Sequence, residues 1–287
     1  MKNKGVLYLF ITSIIWGSAF IAQRTGMDQI GPYTYVFFRY LLASFCSLLI
    51  FFISLKKYPC SSTLFFRSVR IGILTGLPLA AGMVLQQVGL VDTSAGKAGF
   101  LTAMYILIVP LLGLFRKKKP AANVWLALLI ALVGYYFLCV TENFSIQPSD
   151  MIILGGALSF SLQIDFIDRF GKEANSYVLT AASQFTVLCV AFVLMMLKET
   201  FTLSGVLHSW FSIFYCGVFS GAIAEMFQVL GQKSTAPSVA SLIMSLESVF
   251  SAIFGFLLLH ETLSVREVIG CALVFGAVLL SQMEKKD

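Results

Sequence analysis

Two carboxylates mark where chemistry could sit in this chain. Glu225 and Glu247 each lie deep inside an apolar stretch of residues 221–261, and the short polar turn Gln232, Lys233, Ser234, Thr235 separates them. A charge at the centre of a bilayer costs roughly 2.5 to 3.5 kcal/mol on insertion scales, so each needs a partner or a use. Spacings of i, i+3 and i+7 put Glu225 on one side of a helix with Gln228 and Gln232, while Glu247 shares a face with Met244, Ser251 and Phe254. A carboxylate desolvated between helices is a candidate for taking up a proton and releasing it when its surroundings change. The competing reading is a neutral, hydrogen-bonded glutamate that locks helix to helix.

Other polar groups interrupt the apolar background. Lys97 follows Ala95-Gly96 just inside a span, placed to meet an anionic group, to pair with Glu247, or to snorkel to the interface. Arg39 reads as a structural anchor, and Asp165, about a turn before Asp168 and Arg169, as a partner of nearby positive charge. Trp16, Phe20 and Gln23 share one face of the first helix. Aromatics facing a cavity would hold apolar or cationic groups, but aromatics facing lipid are as common. The two histidines, His208 and His260, lie at span ends and make no metal cluster, and the six cysteines are scattered without a CxxC pair, as small buried hydrophobes are. GxxxxGK[ST], GxSxG and HExxH are all absent, which argues against an ATP-driven pump or an intramembrane hydrolase. Neither a cofactor nor a metal is expected.

The elements that position these residues follow from composition. Of 287 residues, 58% are apolar and only 12% charged, far from the roughly 25% charged of soluble domains. Apolar runs of about 20 residues can each cross the hydrocarbon as a helix. Ten such spans are drawn at 5–22, 32–54, 70–91, 94–115, 122–140, 151–168, 176–197, 209–231, 237–259 and 266–283. Lys2 and Lys4 ahead of the first run resemble a signal peptide, but the repeat described below argues that this span is retained. Asn143-Phe144-Ser145 forms a glycosylation sequon. With the amino end cytoplasmic, that side collects 15 of the 20 Lys and Arg residues, against Arg24, Lys97, Lys198 and Arg266 opposite and Arg39 within a span. The positive-inside rule therefore places both termini in the cytoplasm. The net charge of +6 is explained by this loop bias, and nucleic-acid binding is discarded.

Shifting the chain by 142 residues against itself sets Gln86 on Gln228, Gly89 on Gly231, Thr93 on Thr235, Ala98 on Ala240, Gly113 on Gly255 and Gly134 on Gly276. Matches on Gln, Gly and Thr mean more than matches on Leu. We read a duplicated unit, residues 1–141 and 149–283, in which Glu247 replaces Tyr105 and Glu225 replaces Met83. Five spans per unit is an odd number, so the second copy enters the membrane inverted. The expected fold is all-α, ten transmembrane helices in two inverted five-helix repeats around a central cavity.

Several motifs resemble the EamA-like family of the drug/metabolite transporter superfamily. They are Trp16-Gly17-Ser18-Ala19-Phe20 in the first span, Pro32 with Arg39 in the second, the run QQVGLVDTSAGKAGFLTAMYILIVPLLG from Gln86, and Glu261 ahead of a tenth helix with Gly270 and Gly276. This chain has His260 where the family often has Gly, and Ser248 where it often has Pro after the mid-span glutamate; the second departure predicts a straighter ninth helix. The resemblance implies a multi-pass protein of the cell membrane that moves small metabolites by alternating access, not an enzyme. Trp16, Gln23, Lys97, Tyr105, Glu225, Gln228 and Glu247 are the expected substrate contacts, with Glu225 and Glu247 as proton-coupling candidates and Arg39, Asp165 and Glu261 as structural charges. One cation with two acids suits a zwitterion, so export of amino acids or similar amphipathic solutes is the expected function. An importer, a multidrug or cation carrier, or a membrane scaffold are the alternatives. The expected partners are a small-molecule substrate, the lipid bilayer and protons, with the protein a monomer or homodimer.

Overall fold

The computed structural model describes residues 2–56, 59–117, 119–139, 147–259 and 262–283. The described residues are almost entirely helical, with no strand among them. Ten long helices follow in order: α1 Lys2–Thr25, α2 Pro32–Leu55, α3 Ser62–Gly89, α4 Ala95–Phe115, α5 Ala122–Cys139, α6 Pro148–Phe170, α7 Ser176–Lys198, α8 Trp210–Gln232, α9 Pro237–Leu258 and α10 Val265–Gln282. Among the described residues nine of these are long and apolar enough to cross a bilayer, and α5 is a shorter apolar helix. The short helix Leu203–His208 lies between α7 and α8. The sequon and His260 with Glu261 fall outside the described residues.

Polarity is inverted relative to a water-soluble fold. Phe45, Phe52, Leu129, Phe192 and Leu257 point outward, while Gln23, Arg39, Gln86, Gln163, Gln184, Glu225, Gln228 and Glu247 are buried. Lipid solvates the first set, and polar groups inside must satisfy one another. The molecule is a multi-pass membrane protein.

Helix ends follow local chemistry, and three lie well away from the spans drawn on hydropathy. Helix α3 starts at Ser62, because the Ser61 hydroxyl accepts from the Leu64 N–H. Arg67 and Arg70 therefore ride on its first turns instead of in a loop. At the start of α6 a capping box joins Gln147 and Asp150, so that helix begins three residues early, at Pro148. Helix α1 runs to Thr25, three residues beyond its apolar core, and Arg24 caps the end of α3 through the carbonyls of Leu90, Val91 and Thr93.

Packing joins the two halves far more than it joins helices within either half. The main partners are α5 with α10, α3 with α6 and α7, α2 with α7 and α8, α1 with α8 and α9, and α4 with α6 and α9. Exchanging the halves maps this set onto itself: α3·α7 becomes α8·α2, α1·α9 becomes α6·α4, and α5·α10, α2·α7 and α4·α9 return unchanged. That is the signature of two inverted repeats around a pseudo-twofold axis. Distortions also recur. Pro78 lies inside α3, and its repeat mate Ser220 lies in a π-helical stretch of α8, Cys216–Ala224.

The α5·α10 contact depends on two glycines whose backbones meet. A Cβ on Gly134 would lie 2.8 Å from the Gly270 carbonyl oxygen, and one on Gly270 2.6 Å from that of Gly134. Small residues at such crossings let transmembrane backbones approach. Substituting either by Leu should lower thermal stability in detergent by about 1–3 kcal/mol through overpacking. A Tm unchanged in both variants would show that the helices separate freely.

Candidate functional site

Helices α4 and α9 are each broken at mid-span, at equivalent positions. In α4 the break is at Met104, between Ala103 and Tyr105, and in α9 at Ser245 and Leu246, between Met244 and Glu247. The tight i to i−3 bonds that mark the breaks are themselves 142 residues apart: the Met104 N–H donates to the Leu101 carbonyl at 3.3 Å and the Leu246 N–H to that of Ile243 at 3.2 Å. The straighter ninth helix expected from Ser248 is thus not found. The Ser245 hydroxyl donates back to the Leu242 carbonyl, and the Tyr135 hydroxyl donates to the Ser245 carbonyl at 2.8 Å. Serine and tyrosine hydroxyls do the work that proline does elsewhere, drawing backbone groups out of the helical ladder.

Each break starts a new half-helix with a functional side chain. Tyr105 opens one and Glu247 the other, and the Tyr105 hydroxyl donates to Glu247 Oε1 at 3.1 Å. Repeat mates that touch each other lie on the pseudo-twofold axis. Glu247 is 3% exposed.

Beside this pair is a narrow cavity, with free space in this state for a water molecule or two. Of the residues singled out in the sequence as substrate contacts, Trp16, Gln23, Tyr105, Gln228 and Glu247 line it. Arg39 also lines it. Gln86, Thr102, Gln163 and Ser220 complete the polar wall, and Phe20, Met83 and Phe160 are among its apolar lining. Wall amides are paired: Gln163 and Gln228 exchange two hydrogen bonds at 3.2 and 3.0 Å, and Gln86 donates to Thr102 at 3.0 Å. Gln86 was visible as a repeat match to Gln228 and as the start of the run that resembles the family. Gln163 and Ser220 carried no signal in sequence, being ordinary polar residues whose partners lie on distant helices.

Glu225 faces away from the cavity. The Tyr40 hydroxyl donates to its Oε1 at 2.6 Å and Gln184 Nε2 approaches its Oε2 at 3.5 Å. Gln184 is in turn fixed by the Ser47 hydroxyl and the Gly221 carbonyl. Glu225 and Gln228 therefore share a side of α8 without sharing a site. The π-helical stretch just before Glu225 frees carbonyls that other helices take: Trp16 donates to that of Ser220, Gln184 to that of Gly221 and Thr12 to that of Ala224. Such stretches concentrate at functional sites.

Lys97 is apart from the cavity, donating to Asp150 at 2.6 Å, so its partner is on α6 and not Glu247. On that same side Glu199 accepts from the Tyr33 and Thr34 N–H groups at the start of α2. At the opposite side, where the chain starts and ends, Arg116 pairs with Asp165 and Asp168, and Arg169 with Asp165 at 2.7 Å. A crevice of about 810 Å³ opens there, lined in part by Lys119, Asp168, Lys172 and Lys233. Burial lowers Lys233, on the turn after α8, to about 8, and its ammonium donates to the Ala174 carbonyl at 2.6 Å.

A bundle of inverted halves, helices tightened at equivalent points where they meet at the axis, and a cavity with polar and aromatic lining beside them define a membrane carrier architecture. The chain belongs to the EamA-like transporter family, whose pattern matches it twice, over residues 3–140 and 147–283. An uncharacterized transporter of Archaeoglobus fulgidus is 28% identical over 96% of this chain and 84% of its own length. The uncharacterized inner membrane transporter YedA of Escherichia coli K12 is 25% identical over 96% and 90%, and the uncharacterized transporter YoaV of Bacillus subtilis 24% over 97% and 96%. A solved crystal structure of another protein superposes with a TM-score of 0.78, covering 98% of this chain and 96% of that one at 15% identity, a likeness of fold alone.

The on-axis bond gives a direct test. Tyr105→Phe leaves a buried carboxyl without its donor and should lower stability by about 1–3 kcal/mol. Combined with Glu247→Gln in a double-mutant cycle of thermal unfolding, the two should couple by about 0.5–3 kcal/mol. Additive effects would mean that the two groups do not interact.

Proposed function

We propose that this transporter is a secondary carrier of the cell membrane, with both termini in the cytoplasm, that exports small zwitterionic or amphipathic solutes such as amino acids by alternating access. The observation behind this reading is the cavity beside the axis. It brings one cation, Arg39, one acid, Glu247, paired glutamines and the aromatic rings of Trp16 and Phe20 to one space at the interface of the halves. A zwitterion with an apolar body is the ligand such a lining complements. The concentration of Lys and Arg on the side of the termini supports the orientation.

Glu247 is the proposed proton site. It touches the cavity, and only Tyr105 donates to its carboxyl among the described residues, so its protonation state can follow the solute and the side to which the cavity opens. Glu225, held by Tyr40 and Gln184, is assigned a supporting part. Protein reconstituted in liposomes tests both assignments. Amino-acid counterflow should be measurable without a pH gradient, and an imposed gradient should accelerate uptake. Glu247→Gln should keep counterflow and lose the acceleration. Acceleration that survives in both Glu247→Gln and Glu225→Gln would remove the proton role, and absence of flux for amino acids would remove the substrate class.

A further inference from the structure

We propose that Arg39 is the anion-recognition residue of the cavity, receiving the carboxylate of the transported solute; this deepens the reading of the cavity as the solute site and rests on it. Arg39 sits on α2 at 1% exposure, among the largest fully buried side chains of the molecule. A permanently charged guanidinium is expensive at that depth, and Arg, unlike Lys, cannot shed its proton to escape the cost.

Its hydrogen bonds among the described residues go to neutral oxygens only. Nη1 donates to Gln23 Oε1 at 2.8 Å and Nη2 to the Ser220 hydroxyl oxygen at 2.9 Å, while Nε donates to nothing. Two half-buried cations of the fold have direct carboxylate partners, Lys97 with Asp150 and Arg116 with Asp165 and Asp168, whereas Lys233 and Arg266, nearer the ends of the spans, donate to the carbonyls of Ala174 and Tyr136. Glu225 is the carboxylate held closest to Arg39 by a shared neighbour. Its Oε1 takes the Tyr40 hydroxyl, and the guanidinium lies over the Tyr40 ring, 5.4 Å from its centroid. The Arg39 fork is thus left facing the cavity with two displaceable neutral acceptors and an unused donor.

A carboxylate fits what remains. Two guanidinium N–H groups present a planar fork to its two oxygens, Gln23 and Ser220 can turn their own polar atoms to the same oxygens, and Trp16 and Phe20 flank the space with apolar surface. Glu247, lining the same cavity, takes the opposite end of a zwitterion. Lys97, with its carboxylate already bound, has no such part. The solutes selected are therefore carboxylates with a compact apolar body, and a solute stripped of its carboxylate loses the contact with Arg39.

Two probes of matched body separate this site from the rest of the cavity: phenylacetate, which keeps the carboxylate, and phenethylamine, which keeps only the amine. Trp16 is the reporter, since its indole N–H donates to the carbonyl of the residue whose hydroxyl binds Arg39. The other two tryptophans, Trp125 and Trp210, are more exposed, at 36% and 61%. Phenylacetate should quench or shift the fluorescence of the wild type saturably. Arg39→Gln should weaken that response roughly ten- to hundredfold, the loss of a hydrogen bond to a charged group, with the phenethylamine response unchanged. Arg39→Lys, which keeps the charge and loses the fork, serves if the Gln variant does not fold, and should weaken phenylacetate while sparing phenethylamine. No response of the wild type to phenylacetate, or equal weakening of both probes in the Lys variant, overturns the assignment. Amino-acid flux that persists alongside either result leaves the carrier reading intact; phenylacetate binding without any flux leaves Arg39 in place and removes the carrier reading.

Discussion

The structure depends on a single constraint: in hydrocarbon every backbone polar group must find its partner inside the protein. Continuous helices meet it by themselves, so each interruption has to be answered by a side chain. Three interruptions occur at depth, at Met104, at Ser245–Leu246 and along Cys216–Ala224. Hydroxyl, amide and indole groups from other helices answer the second and third: Tyr135, Thr12, Gln184 and Trp16 all donate to backbone carbonyls there. The polar interior clusters where the helices break. Broken helices next to a polar cavity are therefore one feature seen from two sides.

This explains what was legible in the sequence and what was not. Ten helices, the repeat and its inversion follow from span length, loop charge and the 142-residue shift, all of which are local or self-referential signals. Helical periodicity placed Trp16, Gln23 and Gln228 on shared faces, and all three line the cavity. Periodicity gives a side, however, and not a neighbour. It grouped Glu225 with Gln228, yet Tyr40 on α2 draws one toward itself while Gln163 on α6 holds the other. Ser248 in place of proline pointed to a straight ninth helix because the residue that helps break it, Tyr135, lies 110 positions away. Arg39 read as an anchor, and the structure ties it to Gln23 and Ser220, neutral partners on α1 and α8 that no sequence signal names.

The repeat also shows where symmetry was given up. Met83 lines the cavity, but its mate Glu225 turns away into the Tyr40 and Gln184 cluster. Tyr105 and Glu247 occupy equivalent places and became donor and acceptor of one bond across the axis. A pair of glutamates there would leave two acidic groups facing each other. Divergence at this position gives a directional contact where the two halves meet.

Asymmetry at the two closures follows from the same exchange of halves. The Lys97–Asp150 pair joins α4 to α6 on the side away from the termini; its equivalents on α9 and α1 are Val239 and Tyr8, and Tyr8 stacks on Phe227 at 5.0 Å. Arg116 with Asp165 maps in the same way onto Leu258 and Gln23. If the halves trade conformations in the proposed cycle, the contact α4·α9 returns to itself, and Tyr105 keeps Glu247 throughout. The contacts that change are off the axis, and they change in kind: ionic where α4 meets α6, apolar and aromatic where α9 meets α1. Ionic contacts must be desolvated to form and rehydrated to part, whereas apolar ones resist opening through water exposure alone. Each side of the cavity therefore carries one ionic contact of α4 with α6 and the uncharged counterpart of the other, although the fold that makes them is the same unit used twice.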